Sequence, residues 1–161
     1  ESAASAARLL DAFIRRWFDC RSTRCSLYVK RYGVQGALDQ LEFDGFRAVY
    51  DKHGQAVGDA LLKAVAAQLT ARVRASDIVA RLGGDEFAVL LWNLDMARAL
   101  TKALDLEAAI AAASVPAGSS RVSVGASAGV VPLTADITPV AISQAADKAK
   151  YARKKEGGAR A

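Results

Sequence analysis

Histidine and cysteine are almost missing: one histidine, His53, and two cysteines, Cys20 and Cys25, stand among 161 residues. The C-x4-C spacing has no second cysteine pair, and His53 is distant, so a zinc site lacks ligands and two free thiols in a reducing compartment are expected. No apolar run approaches the length of a bilayer span, and the N-terminus has no signal-peptide pattern. The expectation is a cytoplasmic domain, or the cytoplasmic part of a larger membrane-attached protein whose sensor or membrane segment lies outside this chain. Repeats of solenoid length are absent, as is low complexity beyond an alanine excess, which is helix propensity. A face of interleaved aromatic and basic residues is missing too. Only Phe87 and Trp92 flank the one clear hairpin, and their odd separation sends them to opposite faces, which argues against a nucleic-acid polymer as ligand.

What is present is a 52% hydrophobic composition, enough for one well-buried core in a chain of this length and short for two. Lysine and arginine number 22 against 17 acids, a formal charge of +5 that favours phosphate-bearing partners without naming one. Residues 2 to 19 read as a helix with an apolar stripe of Leu9, Leu10, Phe13 and Phe18. "SLYVKRY" and "ALDQLEF" read as extended, "DGFRAVYDKH" as a short helix and "GQAVG" as a turn. Residues 59 to 74 place Leu61, Val65, Leu69 and Val73 four apart, with Asp59 at the start and Arg72 and Arg74 at the end, which suits a helix dipole. "DIVARL" and "EFAVLLW" form a hairpin across "GGD". A helix from about Asp95 to Ala113, a loop, a strand "RVSVGASAGVV" and a last helix from Pro139 to Glu156 complete an α+β sandwich. Its central, mostly antiparallel sheet has helices on one or both faces.

Chemistry concentrates at Gly83-Gly84-Asp85-Glu86. An isolated hairpin of this composition is usually glycines permitting positive φ beside solvated acids. Here the flanking strands are strongly apolar, so the turn sits at the lip of a buried sheet. Glycines remove side chains where a ligand can approach the backbone, and adjacent carboxylates repel in a way that a divalent cation relieves. Glu42 and Asp44 end the preceding strand two residues apart on one face, and Glu42 meets Asp85 if the strands are neighbours. The plain alternative is a strand-end charge pair with Asp44 capping the next helix.

"GGDEF" at 83 to 87, preceded by "RL", followed by "AVLL" and placed after "GDALLKAVAAQL", resembles the signature of GGDEF-family diguanylate cyclase domains. The resemblance runs from about Leu41 to Gly157, with "SAG" at 127 to 129 similar to the family's late strand. It divides the chain into a lead-in over residues 1–40 and a GGDEF domain over 41–161. It implies a nucleotidyl-cyclase or polymerase-palm type of fold. It also implies condensation of two GTP, held on two protomers of a transient homodimer, into cyclic di-GMP, with Mg2+ or Mn2+ as cofactor and sensor or phosphodiesterase domains as neighbours. By the same resemblance Asp85, Glu42 and the Phe43 carbonyl are metal ligands, Gly83 and Gly84 let the nucleotide approach, and Glu86 sits near the reacting hydroxyl or the metals. Phe46, Arg47, Tyr50, Asp59 and Lys154 fall at the GTP site, with Asp59 on the guanine edge and Arg47 and Lys154 on phosphates. Metals would polarise the α-phosphate, so catalysis there is mostly positioning and charge stabilisation.

Arg74 and Asp77, the latter six residues before Gly83, stand at the spacing of the family's RxxD inhibitory site, where an arginine fork and a carboxylate grip cyclic di-GMP. The short turn between them is expected to aim both side chains outward. Outside that context a helix-terminal arginine and a capping aspartate explain the pair.

Four positions depart from the family pattern: Glu42 in place of aspartate, Tyr50 in place of the guanine-reading asparagine, Gln55 in place of histidine and Gly158 in place of a basic phosphate ligand. The usual "DxLTGLxNR" opening is also missing from residues 1 to 40. Two functions follow from this mixture. One is a working, product-inhibited cyclase; the other is a catalytically weak or inactive receptor for cyclic di-GMP or GTP.

Overall fold

The computed structural model describes residues 29–33, 35–134 and 139–158. The helix expected over residues 2 to 19, and both cysteines, lie outside the described residues. Six strands and four longer helices follow: β1 Gly36–Asp44, α1 Phe46–His53, α2 Gln55–Arg72, β2 Ile78–Gly83, β3 Glu86–Trp92, α3 Met96–Ala112, β4 Val115–Ala117, β5 Ser120–Val122, β6 Gly125–Pro132 and α4 Pro139–Gly158.

The main sheet has the order β2-β3-β1-β6, and each neighbouring pair is antiparallel. β1 is central and buried along nearly its whole length. Its alternation decides what each face carries. Ala37, Leu41 and Phe43 join Phe46 and Val49 of α1, Leu61, Val65 and Leu69 of α2, and Ala103, Leu106 and Ile110 of α3 in the larger core. Leu38 points the other way, to Ala88, Leu90, Leu133 and Val29. Further along that second face the apolar residues give way to Gln40 and Glu42, and α4 packs there against β6 and β1. The α+β fold expected from the sequence is therefore present, with helices on both faces.

Several local expectations are corrected. Residues 29–32 are helical, not extended. The Gly33 N–H closes that turn on the Val29 carbonyl at 2.9 Å, with Gly33 at φ +62° ending it, and a short apolar run cannot distinguish the two by pattern alone. "GQAVG" is not a turn: Gly54, at φ +88°, is the only break, and α2 starts at Gln55. That puts Asp59 in the second turn of the helix. The strand expected as "RVSVGASAGVV" is divided, because Ser120–Val122 pairs with Val115–Ala117 in a separate two-stranded sheet. The expected loop before it supplies β4.

Candidate functional site

The hairpin turn places Gly84 and Asp85 between β2 and β3, with a register shift between Arg81 and Gly83. Gly84 sits at φ +28°, and its carbonyl accepts from Arg81 Nε at 3.2 Å and Nη2 at 2.8 Å. Gly83 ends β2 opposite Glu86. The Asp85 carbonyl accepts from the Phe43 N–H at 3.0 Å, tying the turn to the end of β1. Asp85 itself is half-buried. The β1–β3 register sets Glu42 directly across from Glu86. The acids of β1 and of the hairpin thus come together, but the cross-strand pair is Glu42 with Glu86.

Two carboxylates facing each other on one sheet face repel, and the chain supplies its own cation. Lys150 of α4, a side chain only 6% exposed, holds Nζ 2.9 Å from Glu86 Oε1, 3.2 Å from Asp147 Oδ1 and 3.5 Å from Glu42 Oε2. Gln40 Nε2 donates to the same Glu86 oxygen. Burial alone would lower the Lys150 pKa. The hydrogen bond and charge of Glu86, with help from Asp147 and Glu42, outweigh that and hold it above the ordinary lysine value. Lys154, one turn further on, lies 3.3 Å from Glu42 Oε1 and 3.8 Å from Asp44 Oδ1. Ser127 Oγ donates to Asp44 at 3.3 Å.

This donor set does not fit a magnesium or manganese ion as it stands. Both oxygens of Glu42, the expected acidic ligand from β1, face ammonium groups, and a bound cation needs free carboxylate lone pairs in strict geometry. Among the described residues no group of three or more histidine, cysteine, aspartate or glutamate side chains is arranged to hold a metal ion.

The residues expected at the guanine edge likewise engage one another. The Tyr50 hydroxyl donates to Asp59 Oδ1 at 2.9 Å, and Gln55 Nε2 donates to the same oxygen at 3.3 Å. Burial, then the hydrogen bond and charge of Asp59, push the Tyr50 phenol up to about 12. The Tyr50 ring lies over Gly58, where a Cβ would come within 2.5 Å of the ring. Phe46 is buried beneath, edge-on to Tyr50 at 5.0 Å and to Phe43 at 5.4 Å, so it supports Tyr50 from the core. Arg47 is exposed in the first turn of α1.

At the opposite end of α2 the chain turns through Arg74 to Asp77, closed by the Asp77 N–H on the Arg74 carbonyl at 3.0 Å. The expected outward aim holds for Arg74, whose side chain is 57% exposed, and not for Asp77, at 2%. The Asp77 carboxylate turns in to accept from the Arg74 N–H at 2.9 Å and the Trp92 N–H at 3.2 Å, while Arg74 Nη2 donates to the Trp92 carbonyl. Beside them opens a cavity of about 240 Å³ whose charged walls are Arg72, Arg74, Asp77, Arg98 and Lys102.

Sequence reasoning missed Lys150, Gln40 and the Arg81 clamp. A faint signal for Lys150 exists in the spacing Ala146, Lys150, Lys154, four apart on one helical face, of which Ala146 is fully buried. In a lysine-rich helix this does not say which lysine faces the sheet.

Comparison with known proteins agrees with these elements. The family model described as "Diguanylate cyclase, GGDEF domain" matches residues 15–160. Diguanylate cyclase TpbB of Pseudomonas aeruginosa is 37% identical over 145 residues, covering 88% of this chain and 33% of that protein, so the chain spans about a third of that relative's length. The GGDEF domain of the same P. aeruginosa protein superposes with a TM-score of 0.78 at 34% identity, covering 88% of this chain and 84% of that one. A sensory box/GGDEF family protein from Caulobacter crescentus gives 0.79 at 34% identity, covering 88% and 92%. The match spans nearly the whole chain and includes the hairpin glycines and acids, and on that ground the chain belongs to the GGDEF domain family.

Proposed function

We propose that this chain is a cyclic di-GMP-binding module whose nucleotide cleft is held shut by its own side chains, acting as the regulatory part of a longer signalling protein. The observation that carries this reading is the contrast between its two ends. At the cleft, Glu42 and Asp59 are engaged by Lys150, Lys154 and Tyr50. At the far end of α2, Arg74 stands exposed beside an open cavity whose lining includes Arg72, Arg98 and Lys102. A guanidinium fork with neighbouring arginine and lysine suits a phosphate and the acceptor edge of guanine, and Asp77 presets the fork by holding Arg74. The cavity is small for a ligand pocket and suits one base with its phosphate. The second guanine of a two-fold ligand then remains for another copy or a neighbouring domain, with a gain in avidity.

Calorimetry with cyclic di-GMP on the wild type and on Arg74→Ala tests this. Binding should weaken by roughly tenfold or more in the variant, as expected when a charge-assisted fork is lost. Equal affinities for the two proteins would reject the site.

Cyclase activity is the second reading. It is favoured by the retained Gly83-Gly84-Asp85-Glu86 turn and by the name of the relative, and diguanylate cyclases of the family are generally metal-dependent. It would need Lys150 and Tyr50 to move. Incubating the nucleotide-stripped protein with GTP and either Mg2+ or Mn2+ decides it, and accumulation of cyclic di-GMP would establish the enzyme. Tyr50→Asn should open the pocket by freeing Asp59 and removing the ring over Gly58. The expected result is tighter GTP binding in the variant; weaker binding would mean that Tyr50 itself contacts the nucleotide.

A further inference from the structure

We infer that the Lys150 ammonium is a built-in counter-ion that stands in the place of a divalent cation between Glu42 and Glu86, and that this side chain, with Lys154 on the other oxygen of Glu42, keeps metal from between them. Three features of the site carry the inference. The first is register: Glu42 and Glu86 are partners across β1 and β3, a pairing of like charges that needs a cation between them. The second is burial: an ammonium 6% exposed is costly unless every N–H finds an acceptor. Lys150 meets three carboxylates, hydrogen-bonding Glu86 at 2.9 Å and lying 3.2 Å from Asp147 and, as an ion pair, 3.5 Å from Glu42. The third is how α4 is brought to this spot. Gly129 of β6 lies so close under the helix that a Cβ would be 2.3 Å from the Ala146 carbonyl oxygen and 2.8 Å from the Lys150 backbone nitrogen. This close approach sets the Lys150 stem directly over the sheet, with little freedom to swing away.

A point charge of one unit on a tether differs from a metal ion in its consequences. It compensates the carboxylates without presenting open coordination positions, so it can hold the strands but offers nothing to polarise a phosphate. A metal entering between Glu42 and Glu86 would have to displace the ammonium and meet its repulsion at a few ångströms. Removing the ammonium leaves two facing carboxylates, with Asp85 at the adjoining turn and no cation between the pair, which is the charge pattern that draws a divalent ion.

The test uses Mn2+ as probe and Lys150→Met, which keeps the length and apolar body of the stem. Mn2+ uptake is followed by the resonance signal of the free ion, and the melting temperature is recorded with and without Mn2+. Lys150→Met should bind one Mn2+ roughly tenfold or more tighter than the wild type, with a metal-dependent rise in melting temperature, and adding Glu42→Gln should abolish both. Wild-type protein taking up Mn2+ as tightly as the variant would overturn the inference, as would a folded Lys150→Met that takes up none. If the variant is unfolded without metal, refolding on addition of Mn2+ supports the inference and failure to refold overturns it.

The inference deepens the reading of the cleft as closed, and the two fail separately. Loss of cyclic di-GMP binding to the wild type would end the receptor reading and leave the metal result standing. Mn2+ uptake by the wild type would do the reverse.

Discussion

Asp39→Asn will stabilise this protein at pH 8 and do almost nothing for it at pH 4.5. Asp39 is the polar residue at the centre of β1, fully buried, with no hydrogen-bond partner on either carboxylate oxygen. It faces the core side of the sheet between its register partners Val89 and Val130. Burial first, then the negative charge of Glu107, push its pKa from 3.8 to about 7, and the Arg153 guanidinium only partly offsets them. The carboxyl therefore keeps its proton in the folded chain at pH values where the unfolded chain has lost it. Stability falls as the pH rises from about 4, and the loss is complete above about 7. A difference of about three pH units in proton release corresponds to about 4 kcal/mol. Glu107 adds to the same slope, since burial raises its pKa as well, against the opposing Ala128 N–H and Arg153. Asparagine keeps the shape and never ionises, though its buried amide costs about 1 to 3 kcal/mol without partners. The margin of the variant over the wild type should grow by about 3 kcal/mol between pH 4.5 and pH 8, read from thermal melts at both. A margin that does not change with pH would mean that Asp39 is ionised in the folded chain or finds a partner there.

The same neighbourhood shows how the edge of the sheet is closed. β6 is an edge strand, and its Ala128 N–H donates to Glu107 Oε1 of α3 at 2.7 Å. Glu107 Oε2 takes Arg153 Nη2 of α4 at 2.6 Å, so one ion pair joins the helices of the two faces around that edge. An unpaired strand edge is open to pairing with other chains, and this carboxylate blunts it.

The parts legible in the sequence were those whose pattern is periodic or whose turn chemistry is explicit. Leu61, Val65 and Leu69 are fully buried along one stripe of α2, as their spacing requires. Gly83 to Glu86 make the hairpin turn that the glycines announce. The illegible parts depended on contacts between distant segments. Nothing in "ALDQLEF" says that Gln40 and Glu42 face a helix rather than water, because alternation gives two faces without saying what covers either. Tyr50 and Gly58 are eight residues apart in different helices, and only the break at Gly54 brings ring and glycine together. Asp77 offers an ordinary turn aspartate to the sequence reader, and its inward rotation follows from the Trp92 N–H that β3 happens to present. Lys150 is the sharpest case: its neighbours Lys148 and Lys155 are exposed, and only docking over Gly129 separates it from them.

Gly129→Val should be the most damaging single change at that docking point, and the comparison with Gly129→Ala shows why. The nearest atoms to a new Cβ are the backbone carbonyl of Ala146 and the backbone nitrogen of Lys150, neither of which can rotate away as a side-chain tip would. α4 must therefore lift as a body from β6. Alanine forces a first displacement, and the two further methyl groups of valine extend it. Lifting the helix exposes Ala146, which is fully buried, and draws the Lys150 ammonium off Glu86 and Glu42, leaving two facing carboxylates in a partly dry setting. Overpacking against an immovable backbone together with a broken ion cluster amounts to about 3 kcal/mol or more for valine, and less for alanine. Chemical denaturation should show this order, valine below alanine below wild type. Because lifting α4 withdraws the cation as well, Gly129→Ala should also gain Mn2+ affinity in the direction expected of Lys150→Met. A Gly129→Val protein as stable as the wild type would mean that the helix does not rest on β6 at Gly129, and the close seating of Lys150 over the two glutamates would fall with it.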